Sequence, residues 1–172
     1  MAETATLDKL KARFGENDWK AGDRLPSASA GESRVVVPQT QLSTYLKFLK
    51  TDCGFDLLVD VTCVDYLHFR NAKDRFGLVY CLANTTTSER LIVRCYLNEP
   101  DLTVESAVPL WEGANWLERE VYDMFGIVFG GHPDLRRILL PDEFADHPLR
   151  KDYPLRGRGE RHNFHRLTRE EG

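Results

Sequence analysis

The sequence predicts a two-layer α+β domain, with helices packed on a mixed, mostly antiparallel sheet, followed by an extended C-terminal tail. Three observations lead there. The hydrophobic periods run helix, strand, helix, three strands, helix, without the regular strand–helix alternation of a doubly wound nucleotide-binding fold. The last three strands are joined by short polar connections, Asn71–Asp74 and Asn84–Ser88, which suit an antiparallel meander. Beyond Leu140 the prolines at 141, 148 and 154 forbid a continuous helix, because each lacks an N–H and restricts the residue before it.

Each element has its own local reason. Thr6 to Phe14 reads as a short helix, with Leu7, Leu10 and Phe14 three and four apart. Asn17 to Ser33 is rich in Gly, Ser, Ala and Asp and reads as a loop, with one short strand near Trp19–Leu25. Arg34 to Val37 is a β-branched strand ended by Pro38, which can open the next helix at its first position. That helix runs to about Asp52, with Leu42, Tyr45, Leu46 and Leu49 on one face, and Cys53-Gly54 closes it. In the next strand Leu57, Val59, Val61 and Cys63 alternate onto one face. Phe76, Leu78, Tyr80 and Leu82 do so in the second strand of the meander, and Leu91, Val93, Cys95 and Leu97 in the third. Asn98–Asp101 ends the sheet, and Thr103–Val108 is expected to form a helical turn before Pro109. Asn115 to Phe125 is a helix whose Leu117, Val121, Met124 and Phe125 share a face. Asn115 and Glu118 have the spacing of a capping box, and Gly126 can take the left-handed position after the last turn.

Composition narrows the function. The 172 residues are 42% hydrophobic with 10% aromatic, enough for a buried core, so one domain (residues 1–139) and one extension (140–172) are expected. Net charge is −4, which argues against nucleic acid as the main partner. From His132 to Gly172 nine Lys+Arg face eight Asp+Glu, a charge-dense and nearly neutral stretch better matched to protein than to a polyanion. No apolar run approaches the ~20 residues of a membrane span, and Met1–Asp8 shows neither a signal region nor a transit-peptide pattern. The chain therefore reads as cytosolic, or facing the cytosol on a membrane complex. Cys53, Cys63, Cys81 and Cys95 include no Cys-x-x-Cys pair, and three lie in strand-like apolar runs. They read as buried thiols rather than as zinc or iron–sulfur ligands. No Gly-x-Gly-x-x-Gly, Walker-type loop or Gly-x-Ser-x-Gly is present.

The most specific stretch is Asn115 to Tyr153. Glu118 and Glu120 stand at i and i+2 on the helix and point to different faces, so they make a poor catalytic carboxylate pair. Arg119 and Asp123, at i and i+4, are placed to pair with each other. His132 and His147 each precede a proline, which holds the backbone extended and makes each a hydrogen-bonding anchor in a turn rather than a base. His162 and His165 share a helical spacing but have no third ligand nearby. In the tail, Leu140, Phe144, Leu149, Tyr153, Leu155, Phe164 and Leu167 are too sparse for a core but suit anchors in another protein's grooves, with arginines between them. A tail of this kind is expected to be ordered by its partner.

Glu118-Arg119-Glu120-x-x-Asp123-Met124-Phe125-Gly126, followed by His132-Pro133-Asp134-Leu135-Arg136-Arg137-Ile138-Leu139, closely resembles the signature of a respiratory complex I family, that of the 30 kDa (or C-type) subunit of proton-pumping NADH:quinone oxidoreductase. His147-Pro148-Leu149-Arg150-Lys151-Asp152-Tyr153-Pro154 matches the family's second block, and Asp60–Asp65 is also of its type. After Leu155 the sequence departs from the longer tail of many members. The resemblance implies a peripheral-arm subunit with no catalytic, metal or cofactor site of its own. FMN and iron–sulfur clusters would sit in partner subunits. The chain would lie against the large quinone-site subunit, near the small cluster-bearing subunits, on the cytoplasmic side of a bacterial inner membrane that it touches only through the complex. Glu118, Arg119, Glu120, Asp123, His132, Arg136, Arg137, His147, Arg150, Lys151 and Tyr153 are the candidate partner-interface residues. Arg119, Arg136 and Arg137 are expected to pair with acids of neighbouring subunits. An equivalent component of a membrane-bound hydrogenase-type complex and a stand-alone small α+β enzyme are the competing readings.

Overall fold

The computed structural model describes residues 2–15, 20–21 and 32–160. The elements run α1 (Ala2–Phe14), β1 (Lys20–Ala21), β2 (Glu32–Val37), a 3-10 turn (Gln39–Gln41), α2 (Leu42–Thr51), β3 (Leu57–Asp65), β4 (Phe76–Ala83), β5 (Arg90–Leu97), β6 (Thr103–Glu105), α3 (Ala114–Phe125) and β7 (Val128–Gly130). His162 and His165, with Phe164 and Leu167 of the tail, lie outside the described residues, as does most of the Trp19–Leu25 segment.

The main sheet has the order β1-β2-β5-β4-β3. β3, β4 and β5 form the expected antiparallel meander, while β2 joins β5 in parallel, so the sheet is mixed. Rows of side chains cross it. Val35, Val93, Tyr80 and Val61 stand in register, as do Val37, Cys95, Leu78 and Cys63. All eight are buried, in one core with Leu42, Tyr45, Leu46 and Leu49 of α2 and Val121, Met124 and Phe125 of α3. Both alternating patterns of β4 and β5, and the apolar face of α2, fall where their periods place them. α1 joins through Leu10 and through Phe14, whose ring stacks on Tyr45 at 3.8 Å. The opposite sheet face carries Ile92, Arg94, Tyr96 and Val64 half-buried and Thr62 exposed.

Three local expectations are corrected. In β3 the register shifts between Leu58 and Asp60, a bulge at Val59. One extra residue reverses a period-two pattern, so Leu58, Val61, Cys63 and Asp65 face the core while Leu57 and Val59 are 47% and 56% exposed. Thr103–Glu105 is a strand rather than a helical turn, because Val128–Gly130 lies parallel to it and supplies the ladder. Pro38 stays extended (φ −64°, ψ 145°) ahead of the 3-10 turn instead of opening a helix.

The segment after Leu140 does not stand away from its own domain. It crosses the body as an irregular strap as far as Glu160, with Phe144 buried and its backbone bonded to α3 and to the β3 end. Its prolines exclude a helix, but they leave N–H groups free to bond elsewhere, and the acceptors are on the same chain.

Candidate partner interface

The strap and α3 meet in a seam made of the two signature blocks. Its centre is Asp123, fully buried on α3. One carboxylate oxygen accepts from Arg137 Nη1 at 2.6 Å. The other accepts from three successive backbone N–H groups, those of Ile138, Leu139 and Leu140, at 3.0, 2.8 and 3.0 Å. Burial alone would raise this carboxyl's pKa, but the bonds from Leu139, Leu140, Arg137 and Ile138 outweigh it and hold the group below the usual carboxylate range. Arg119 is therefore not Asp123's partner. It donates to the carbonyls of Arg136 and Arg137 at 3.1 and 3.2 Å and stacks over the Trp116 ring at 4.9 Å. Side chains at i and i+4 can meet, but Asp123's carboxylate points to the strap, where four donors converge.

The last turn of α3 leaves carbonyls without intrahelical partners, and the second block satisfies them. His147 Nδ1 donates to Asp123 O at 3.0 Å, the Leu149 N–H to Met124 O at 3.2 Å, and Arg150 Nε to Phe125 O at 2.6 Å. A guanidinium at a helix C-terminus also complements the dipole. Gly126 ends the helix with φ +76°, and a Cβ there would lie 2.5 Å from His147 Nε2 and 2.8 Å from Arg150 Nη2. The glycine thus serves both the left-handed turn and the close seat of the strap. Burial, then the nearby Arg150 and Arg137, lower the His147 pKa.

The remaining candidates sort by exposure. Glu118 is fully buried and does not cap its own helix, which starts at Ala114 without a side-chain cap. It accepts instead from Ser106 Oγ and the Ala107 N–H, both at 2.6 Å, and burial pushes its pKa up to about 7. His132 is an anchor: Nδ1 accepts from the Asp134 N–H at 3.0 Å, and Nε2 donates to Asn115 O at 3.1 Å. Arg137 also donates to Asp146 O, and Arg136 pairs with Asp134 at 2.9 Å. The arginines expected to reach across to other subunits thus have acceptors at home. A buried guanidinium or carboxylate needs a partner whether or not a second chain is present. Tyr153 donates to Glu160 Oε1 at 2.9 Å, while Glu120 and the Lys151 side chain are exposed.

A second cluster was not foreseen. Arg75 binds Glu99 at 2.9 Å and Asp152 at 2.6 Å, and Arg150 binds the other oxygen of Glu99 at 3.0 Å. Both guanidinium groups lie near the Phe76 ring, at 4.8 and 5.2 Å. Buried Asp65 accepts from the N–H groups of Leu67 and Lys151, so it ties the end of β3 to the strap. Asp65 was readable as a charge on the inward register of an apolar strand, which must find partners. Glu99 and Asp152 carried no such signal. Around the seam, Trp116 and Leu139 are 63% and 60% exposed.

Among the described residues no three His, Cys, Asp or Glu side chains are placed to hold a metal ion, and no helix is long and apolar enough to cross a membrane.

Comparison with known proteins gives this arrangement its context. The family described as respiratory-chain NADH dehydrogenase, 30 Kd subunit, matches residues 35–159. The NADH-quinone oxidoreductase C-type subunit of Trichlorobacter lovleyi is 44% identical over 160 residues, 92% of this chain and 94% of the relative. Its counterpart from Brucella ovis is 45% identical over 142 residues, 80% of this chain and 68% of that one. Among solved structures, a trypsin-resistant fragment of Nqo5 superposes with a TM-score of 0.67 at 34% identity, covering 78% of this chain and all of the fragment. A chain of the archaeal membrane-bound sulfane sulfur reductase shares the fold, with a TM-score of 0.73 at 21% identity over 90% of this chain and 87% of that one. The match spans both seam blocks and the sheet that carries them, and this chain belongs to the family of the 30 kDa subunit of the respiratory-chain NADH dehydrogenase.

Proposed function

We propose that this NADH-quinone oxidoreductase subunit is a scaffold of the peripheral arm that carries no cofactor of its own. It would help hold the quinone-reducing module through which electrons pass from NADH, by FMN and iron–sulfur clusters in other subunits, to quinone. Its neighbours would be the large quinone-site subunit and the small cluster-bearing subunits, on the cytoplasmic side of a bacterial inner membrane. The observation that carries this is how the signature is used. Asp123, Arg137, His147 and Arg150 build a hydrogen-bonded seam inside the chain, leaving Trp116, Glu120, Arg136, Leu139 and Lys151 among the exposed groups that can meet a partner. Buried aromatic anchors ringed by polar groups are the usual hot spots of such contacts.

The division into a body of residues 1–139 and a partner-binding segment of 140–172 belongs to the same reading. The trypsin-resistant fragment of Nqo5 supports a body that stands by itself. The strap adds one buried aromatic, Phe144, and a set of hydrogen bonds, so it opens at lower cost than the core.

Isolation of the complex through a tag on this chain, with every subunit identified, tests the proposal. The quinone-site subunit and cluster-bearing subunits should come with it. A chain that purifies alone with its own turnover or bound flavin would overturn it. The shared fold with the sulfane sulfur reductase chain favours a second reading, a place in a related complex with another electron donor. Absence of an NADH-oxidising flavoprotein from the isolated complex would select it.

A further inference from the structure

The less covered face of the sheet holds a groove far in sequence from the seam. Its volume is about 380 Å³, and Tyr66, Phe69, Arg70, Lys73, Arg94 and Tyr96 are among the residues that line it. The aromatic wall is built into the fold. Gly77 is the second residue of β4, where glycine weakens a strand, and a Cβ there would lie 2.7 Å from the Tyr66 ring. The glycine lets Tyr66 lie flat on the sheet. Phe69 meets that ring edge-on at 5.2 Å and Tyr96 approaches it at 6.2 Å. Phe69 is nevertheless 62% exposed, and Leu67 beside it is exposed as well.

The charge of the groove is mostly positive, with Arg70, Lys73 and Arg94 against the single carboxylate of Asp74. Arg94 projects from β5 with only a 3.5 Å contact to the Tyr96 hydroxyl, and its Nε is buried without a hydrogen-bond partner. Among the described residues no carboxylate pairs with Arg94, Arg70 or Lys73. The groove's own acid, Asp74, accepts from Asn98 at 2.8 Å. Nε itself is sealed from the groove, but the terminal guanidinium nitrogens, with no acceptor among the described residues beyond the long Tyr96 contact, are placed to take a carboxylate there. Arg75 and Arg150, which lie against the Phe76 ring, have carboxylate partners, and Arg119 on Trp116 has two backbone carbonyls.

We infer that this groove is a docking site for an acidic segment of a neighbouring subunit, one that sets a carboxylate on Arg94 and an apolar side chain against Phe69 and Tyr66. Three cations around an aromatic wall fit a carboxylate with an apolar neighbour, and the groove has room for a few side chains rather than a domain. The inference rests on the reading of the chain as one component of a larger complex, but it concerns a surface outside the seam.

The test uses the intact tagged complex. A carbodiimide joins an amine to a carboxylate in direct contact without a spacer, and Lys73 supplies the amine. Mapping of linked peptides should join Lys73 to an Asp or Glu of another subunit. In an amine-labelling arm, Lys73 should react at least tenfold more slowly in the complex than in the free chain. Arg94→Gln and Phe69→Ser, each checked for an unchanged melting transition as free chain, should each lower co-isolation of that same subunit at least fivefold. Phe69 is exposed, so its replacement leaves the core intact should the Arg94 variant fail to fold. Co-isolation of the complex with Lys73 as reactive as in the free chain, or linked only to acids of this chain, would overturn the groove and leave the reading of the chain as a scaffold standing. Failure of the chain to co-isolate with any other NADH-quinone oxidoreductase component would overturn both.

Discussion

Removal of the Asp123 carboxylate should release the strap while leaving the body folded. Asp123→Ala takes away the acceptor of three backbone N–H groups and of Arg137. Breaking a buried ion pair by deleting one partner costs about 3–5 kcal/mol. Arg137 keeps two carbonyl acceptors, Asp123 O and Asp146 O, which places the expected loss near the lower end. The cost falls on strap docking, because an undocked strap exposes position 123 to water. Amide exchange reads it directly. The Leu149 N–H donates to Met124 O and the Lys151 N–H to Asp65, so neither uses the deleted group, yet both are protected only while the strap is seated. A loss of about 3 kcal/mol corresponds to roughly a 100-fold rise in exchange at both amides. Glu120→Ala, exposed on the same helix, should change them little. Asp123→Asn should fall between, since its amide oxygen can still accept from the three N–H groups while its NH₂ faces Arg137. Acid should mimic the variant. The folded pKa lies below the ordinary 3.8, so the stabilisation is complete above that value and disappears as pH falls through the lower folded one. If exchange at Leu149 and Lys151 changes less than about twofold in Asp123→Ala, the carboxylate is not what seats the strap, with the observed bonds predicting ~100-fold.

The other expectations follow from the same geometry. Gly126→Ala should cost about 1–2 kcal/mol for the left-handed backbone alone, with more from the Cβ against His147 and Arg150, and an unchanged melting temperature would contradict the seat described for it. Glu118 has a folded pKa of about 7 against 4.5 when solvated, so the folded state binds the extra proton and stability falls as pH rises between these values, by up to about 3 kcal/mol. Urea titrations of the chain and of Glu118→Gln from pH 4.5 to 7.5 should converge or cross for that reason, and a difference independent of pH would refute it. Arg75→Met removes the link between Glu99 and Asp152 and should speed exchange at the Lys151 amide more than at Leu149, which lies nearer Asp123; equal effects would mean the two clusters act as one. Limited proteolysis of the free chain should cut first beyond Leu140 and leave the body intact, and the same bonds should be protected in the isolated complex; a strap as resistant as the body would show that it is part of the domain.

The sequence by itself determined the elements whose signal is short-range. The α2 face, the β4 and β5 alternations and the Gly126 turn each depend on residues within a few positions of one another, and each lies where its period puts it. The family was legible for the same reason, since its blocks are contiguous runs. What only the tertiary structure decided is long-range. β2 runs beside β5, 58 residues on, in the parallel register that opposes Glu32 to Arg90. A single bulge at Val59 turned Leu57 and Val59 of the predicted β3 face outward while Val61 and Cys63 kept it, because strand pairing tolerates an extra residue that no periodicity announces. The charged residues show the limit most plainly. Glu118 serves Ser106 and Ala107 rather than its own helix, Asp123 serves the strap rather than Arg119, and Asp65 holds Lys151 at a separation of 86 residues. Spacing tells which side chains can meet along one helix, but a buried charge bonds to whichever donors converge on it, and that convergence exists only once the chain has closed on itself.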